Sequence, residues 1–245
     1  MHTFERQVLV GLPKVMGIDL SVTNEVLLLW LAAATAFVLL TVACRRKQLV
    51  AHGPLQNLFE ALIEFIQKEI VTEGLGAEGR RWASFLIALF FFILFCNLLG
   101  MVPVPSHFTS VTANISVTVS LALIVFVMTL VINIHHNGFR GFLRKFVPDG
   151  VPRWVLVLIV PIEIASWLAK PVSLAVRLFA NMLAGHALIL AFVGLTATVA
   201  WIAKPLPLAG AVIMSAFELF VSFIQAFVFT MLAGFYIRDA LETAH

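Results

Sequence analysis

From Trp154 to Ala203, fifty consecutive residues carry only three charges, Glu163, Lys170 and Arg177, in an otherwise largely apolar run. About 20 apolar residues suffice to cross a bilayer as a helix, so this stretch is either two spans or one very long, tilted and kinked helical unit. Pro161, Pro171, Gly185 and Gly194 lie inside it and leave both options open. Four further apolar runs occupy 26–44, 82–101, 114–134 and 208–238. A membrane β-barrel would need short alternating segments instead. The chain is 61% hydrophobic and 12% charged, against about 25% charged in a soluble domain. These observations predict an all-α polytopic membrane protein, a single membrane domain over residues 1–245. It has about five membrane-embedded helices, the last two long and strongly tilted.

One segment differs. Over 54–73, Leu55, Leu58, Phe59, Leu62, Ile63, Ile66 and Ile70 recur on one helical face, while Gln56, Asn57, Glu60, Glu64, Gln67 and Lys68 fall largely on the other. That periodicity predicts an amphipathic surface helix, lying on the membrane or against another helix and not crossing it. Gly74, Gly76 and Gly79 end it.

Charge placement sets the topology. Arg45, Arg46 and Lys47 follow the first run, Arg80 and Arg81 precede the second, and Arg140, Arg144, Lys145 and Arg153 follow the third. The 102–113 loop contains no lysine or arginine. Basic loops face the cytoplasm-like side, so the net charge of +3 orients the chain and is not a nucleic-acid surface. The C-terminus, with Arg238, Asp239 and Glu242, belongs on that same side. Residues 1–24 lack a basic region leading into an apolar one, so no cleaved signal peptide is expected. Cys44 and Cys96 are too far apart for a metal or redox motif and read as small apolar residues.

The intramembrane charges need an account, because a charge at mid-bilayer costs about 2.5–3.5 kcal/mol on insertion scales. At about 100° per residue, Glu163, Lys170, Arg177 and Asn181 share one narrow stripe, and His186 projects to the opposite side. Glu218 and Gln225, seven residues apart, give the last helix a matching stripe. Lys170 is expected to pair with Glu163 or to snorkel. Arg177 has no carboxylate at i±3 or i±4, which leaves Glu163, Glu218 or another protein as its partner. His186 and Glu218 can each gain and lose a proton, so together they suit a relay. Asn97 is expected to form an inter-helix hydrogen bond. The adjacent His135 and His136 do not share a helical face and have no Cys or Asp at ligand spacing, so no metal site is expected. No cofactor-binding or hydrolytic motif is present; any catalysis belongs to another subunit.

The stretch KPVSLAVRLFANMLAGHALI, preceded by Glu163 and followed by FELFVSFIQAFVFTMLAGFYI, resembles subunit a of F-type ATP synthases over nearly the whole chain. The resemblance implies that Arg177 faces the c-ring carboxylate, with Asn181 and Gln225 beside it. It implies that Glu163 lies on one half-channel, and that His186 and Glu218 line the other. Lys170, Ser173 and Ser222 are implied as supporting polar groups. Many bacterial relatives exchange the acid and the histidine of that pair; this chain has the arrangement of mitochondrial and alphaproteobacterial members. The implied partners are the c-ring, peripheral-stalk subunit b, indirectly the F1 sector, protons and membrane lipids. The implied location is an energy-transducing membrane, a bacterial inner membrane in preference to a mitochondrial one. The alternative is a secondary ion transporter with a mid-membrane charged site, a class that commonly shows paired repeats; none is visible here.

Overall fold

In the computed structural model, residues 8–10, 22–45, 53–102, 111–147 and 150–242 are described. Arg46, Lys47, the 103–110 part of the uncharged loop and most of the first 24 residues lie outside these. A short antiparallel pair, β1 (Val8–Val10) with β2 (Val22–Thr23), precedes an all-helical body. Helix α1 spans Asn24–Arg45 and α2 Pro54–Ile66. A π-helical stretch, Gln67–Leu75, and a 3-10 turn, Gly76–Arg81, then lead into α3, Ala83–Gly100. Helices α4 (Ile115–Arg144), α5 (Arg153–Thr198) and α6 (Pro205–Leu241) complete the chain. Helices α3 to α6 are each long and apolar enough to cross a membrane, and α1 holds a shorter apolar stretch, Val26–Thr41.

The 50-residue run is one helix as far as Thr198, short of the expected end at 203: Val199 is extended and Trp201–Ala203 forms a separate 3-10 turn. Its prolines, Pro161 and Pro171, lie inside α5, and each removes only the one N–H that would have bonded four residues back. Membrane helices tolerate that loss, since neighbouring groups and local adjustment satisfy the freed carbonyl. At 46 residues and about 1.5 Å per residue, α5 is about 69 Å long, against a hydrocarbon core of about 30 Å. It cannot stand upright. The 37 residues of α6 are subject to the same argument. Helix α6 starts at Pro205, earlier than the apolar run at 208, because proline fits a first turn whose N–H groups have no intrahelical partner.

The core is aromatic and aliphatic, with Phe90, Phe91, Phe229, Leu86 and Ile93 fully buried among α3, α6 and their neighbours. Phe90 packs edge-on to Phe91 at 5.3 Å and to Phe223 at 5.8 Å. Part of the apolar face of α2 is directed at its own chain, with Ile66 buried and Phe59 5.6 Å from Phe91, while Leu58 is exposed; Phe65, also exposed, lies 5.2 Å from Phe227. The serines and threonines of α4 bond back to their own helix, as Ser120 does to the Ser116 carbonyl and Thr129 to that of Val125.

The basic ends converge. Arg238 donates to the Gly74 carbonyl at 3.2 Å, Lys145 donates to that of Asp239, and Asn137 Nδ2 donates to that of Ala240 at 3.0 Å. The π-helical stretch, the end of α4 and the end of α6 therefore meet at one face. Partial burial there holds the Lys145 ammonium below the usual lysine range, against the pull of Asp239 and Glu242. Helix α4 bends shortly before this point, at Gly138, whose φ of 69° and ψ of 167° suit a residue without a Cβ.

Candidate functional site

Helices α5 and α6 form an antiparallel hairpin whose register can be followed through four cross-contacts. Phe192 packs against Gly210 near the turn. His186 meets Glu218, Asn181 Nδ2 donates to Gln225 Oε1 at 2.7 Å, and Lys170 Nζ donates to Asp239 Oδ2 at 2.8 Å. On α6 the last three partners lie at 218, 225 and 239, multiples of seven apart, which keeps them on one stripe facing α5. On α5 the buried ridge is Leu174, Leu178, Met182 and His186, at successive four-residue steps. Asn181 and Lys170 lie along one edge of that ridge, and His186 closes the other.

The Lys170 partner corrects the sequence expectation. Glu163 is seven residues away on the same helix, almost two turns, whereas the hairpin register brings Asp239 directly to Lys170. Glu163 is exposed and has no hydrogen-bond or ion-pair partner among the described residues. Arg177 is exposed too and equally without such a partner there, on a helix that also exposes Leu168, Val172, Val176 and Leu188. Of its candidate carboxylates, Glu218 is engaged elsewhere. Ser173 is exposed.

His186 (8% exposed) and Glu218 (4%) are buried together, with Nδ1 2.7 Å from Glu218 Oε1. The other ring nitrogen, Nε2, lies 2.9 Å from the Gly100 carbonyl, and Nδ1 also lies 3.1 Å from that of Met182. Two proton arrangements satisfy these contacts. Either both ring nitrogens are protonated, Nδ1–H donating to the carboxylate and Nε2–H to Gly100, or the protonated carboxyl donates to Nδ1 while Nε2–H donates to Gly100. One proton can thus reside on either partner with the His186–Glu218 and Gly100 contacts kept and only the Met182 carbonyl losing its donor, a geometry compatible with proton exchange between the two.

Gly185 permits that approach. A Cβ there would lie 2.7 Å from Glu218 Oε1 and 2.9 Å from its Cδ, so Gly185→Ala displaces the carboxyl from the imidazole. Gly185→Ala is expected to break the 2.7 Å His186–Glu218 contact with the fold intact, read from the nitrogen chemical shifts of the His186 ring; unchanged shifts would mean that the carboxyl is not displaced.

Besides Thr23 Oγ1 and the Glu218 Oε1 that faces His186, three buried polar atoms have no hydrogen-bond partner among the described residues: Glu218 Oε2, Gln225 Nε2 and Asn97 Oδ1. All three residues line one cavity, together with Asn181 and Ser222. It offers about 10 Å³ for water centres, around the minimum for one molecule. Asn97 was expected only to bridge helices, and its Nδ2 does so, donating to the Ser222 carbonyl at 3.3 Å. Its free Oδ1 facing Glu218 and Gln225 across the cavity was not foreseen. A lone asparagine in an apolar span signals a polar contact without saying what lies opposite. Ser222 is buried, with its Oγ donating to Met101 Sδ at 3.6 Å.

Among the described residues no group of three His, Cys, Asp or Glu side chains could hold a metal, and His135 and His136 are both exposed. The ionisable groups along the hairpin are the exposed Arg177 and Glu163, the Lys170–Asp239 pair and the buried His186–Glu218 pair. Comparison with known proteins supplies its setting. A family model described as ATP synthase A chain matches residues 26–238. The chain belongs to the ATP synthase A chain family. Relatives bearing the name ATP synthase subunit a include one from Magnetococcus marinus, 43% identical over 99% of this chain and 92% of the relative. Others are from Maricaulis maris, 40% identical over 94% and 92%, and Anaplasma marginale, 38% identical over 98% of each. As a member of this family the chain is a multi-pass membrane protein whose length matches that of its relatives nearly end to end.

Proposed function

We propose that this chain is the proton-conducting stator of the Fo sector of a bacterial inner-membrane ATP synthase. In this reading it contains no catalytic site; it delivers protons to, and collects them from, the carboxylates of a rotating c-ring. Subunit b holds it fixed, and the F1 sector, to which it is indirectly coupled, makes the ATP.

The observation that carries this reading is the division of labour across α5. A permanent cation, Arg177, is exposed on one edge of the hairpin without a carboxylate of its own among the described residues, while a buried proton-exchanging pair, His186 and Glu218, closes the other edge. An exposed arginine amid apolar surface awaits an anion from outside the chain. A rotor carboxylate passing it is favoured in its charged form and releases its proton. Arginine stays protonated and cannot pass the proton on, so it also separates the two half-channels. The cavity beside Asn97, Gln225 and Glu218 belongs to the inlet, and the exposed Glu163 to the outlet. Each proton descending 100 mV contributes about 2.3 kcal/mol, too little for one ATP, which is why several rotor sites are needed. Helices too long to stand upright suit contact along a curved ring.

Reconstitution tests the reading. The purified chain alone in liposomes is expected to conduct no protons and exchange no ions under a pH gradient, whereas vesicles with the assembled complex pump on addition of ATP. Ion exchange by the chain alone would favour a secondary transporter instead.

A further inference from the structure

We infer that the segment after Gly138 is a binding site for anionic phospholipid in the basic-side leaflet. After the corner at Gly138, Phe139–Arg144 forms a short final stretch of α4, continued by turns at Lys145–Val147. One side of this stretch is docked. Phe142 and Phe146 pack edge-on against each other at 5.2 Å and against Trp167 of α5 at 5.4 and 6.0 Å, and Lys145 donates to the Asp239 carbonyl.

The other side is uncovered. Phe139 is 63% exposed, and Leu143 and Val147 are also exposed, at four-residue intervals. Arg140 and Arg144, again four apart, are exposed and have no ion-pair partner among the described residues. On a helical wheel the apolar sector of Phe139 and Leu143 adjoins the basic sector of Arg140 and Arg144. A surface with one apolar sector, one cationic sector and a docked back matches a helix in the headgroup layer. Four residues correspond to about 6 Å of rise, so both guanidinium groups can hold one phosphate between them while the neighbouring apolar side chains lie against the acyl chains. Two acidic residues of this end are already engaged: Asp239 with Lys170, and Glu242 with Arg238 at 3.1 Å. Among the described residues neither arginine has an anionic partner, and a phosphodiester with two attached chains satisfies both sectors at once. A protein partner would have to supply the same combination of anion and apolar contact.

The test uses the intact complex. Purified complexes carrying wild-type chain, Arg140→Gln with Arg144→Gln, Phe139→Ser with Leu143→Ser, or Arg80→Gln with Arg81→Gln are incubated in detergent with dimyristoyl phosphatidylglycerol or dimyristoyl phosphatidylcholine. Lipid retained on the released chain is then counted by native mass spectrometry. Wild-type chain is expected to retain phosphatidylglycerol in preference to phosphatidylcholine. One basic residue near an anionic surface is worth roughly a fivefold change, so loss of both arginines is expected to lower retention at least tenfold. The Arg80/Arg81 control, which removes the same charge, retains lipid as wild type does. The serine variant weakens retention although both arginines remain. Equal retention in the Arg140/Arg144 variant, equal loss in the control, or displacement of the lipid by millimolar inorganic phosphate would each overturn the assignment. Protection of Arg140 and Arg144 from phenylglyoxal in complexes stripped of lipid would do so too, because another subunit would then cover the face.

Discussion

Arg177→Ala abolishes ATP-driven proton pumping in vesicles carrying the assembled complex, while the complex assembles normally. The expectation follows from the position of the guanidinium, exposed on α5 and without a partner among the described residues. Because it forms no internal ion pair there, its removal leaves no orphaned carboxylate and the fold is not disturbed. What is lost is the attraction for an external anion. A pair of unit charges about 4 Å apart at an effective dielectric of about 20 interacts by about 4 kcal/mol, on the order of a thousandfold in the release of a proton from that anion. Arg177→Lys keeps a charge, but lysine is a flexible, strongly hydrated point donor that loses its proton more readily when desolvated. It is expected to retain less than a tenth of wild-type pumping. Passive leak, measured in the same vesicles, is expected to rise in the alanine variant, since nothing then separates the two channels. Normal pumping by Arg177→Ala would reject the stator reading outright.

Glu218→Gln, a change of nearly constant shape, is expected to reduce pumping at least tenfold with little loss of stability. The glutamine oxygen can still accept from His186 Nδ1, so a purely structural hydrogen bond survives, but the side chain no longer takes up or releases a proton. His186→Ala removes the other member and also leaves the Gly100 carbonyl without its 2.9 Å contact, so it costs stability as well, on the order of 1–3 kcal/mol. The double exchange, His186→Glu with Glu218→His, restores one acid and one base. It is expected to pump better than either single exchange, a non-additivity that marks two residues working as a unit. Full activity of Glu218→Gln would reduce the pair to a packing contact.

Much of this architecture was legible before any coordinates. Long apolar runs fix an all-α membrane protein, and the opposition of Arg177 and His186 on α5 follows from helical periodicity alone. The stripe of Glu218 and Gln225 was visible for the same reason. What periodicity cannot supply is register between helices. The partner of Lys170 lies 69 residues away in sequence, and only the hairpin register selects Asp239 over Glu163. Asp239 belongs to the charged end of the chain, yet it lies fourteen positions after Gln225, on the same stripe. The continuity of α5 through two prolines was undecidable from sequence, because proline breaks helices in water far more reliably than in a packed membrane bundle. The apolar face of α2 was evident, but not that its own chain buries Ile66 and packs Phe59 against Phe91.

The seven-residue spacing along α6 makes this helix intolerant of insertions and deletions. Adding or removing one residue between Glu218 and Gln225 rotates everything beyond it by about 100° and slides it by about 1.5 Å. With the carboxyl still against His186, the contacts of Asn181 and Lys170 would then be lost together. A substitution removes one partner; a frame change removes several at once. The turn around Trp201–Ala203 lies outside this register and can absorb extra residues. Natural variation in chain length should therefore collect at the tip of the hairpin, while its two arms differ in composition but not in number of residues.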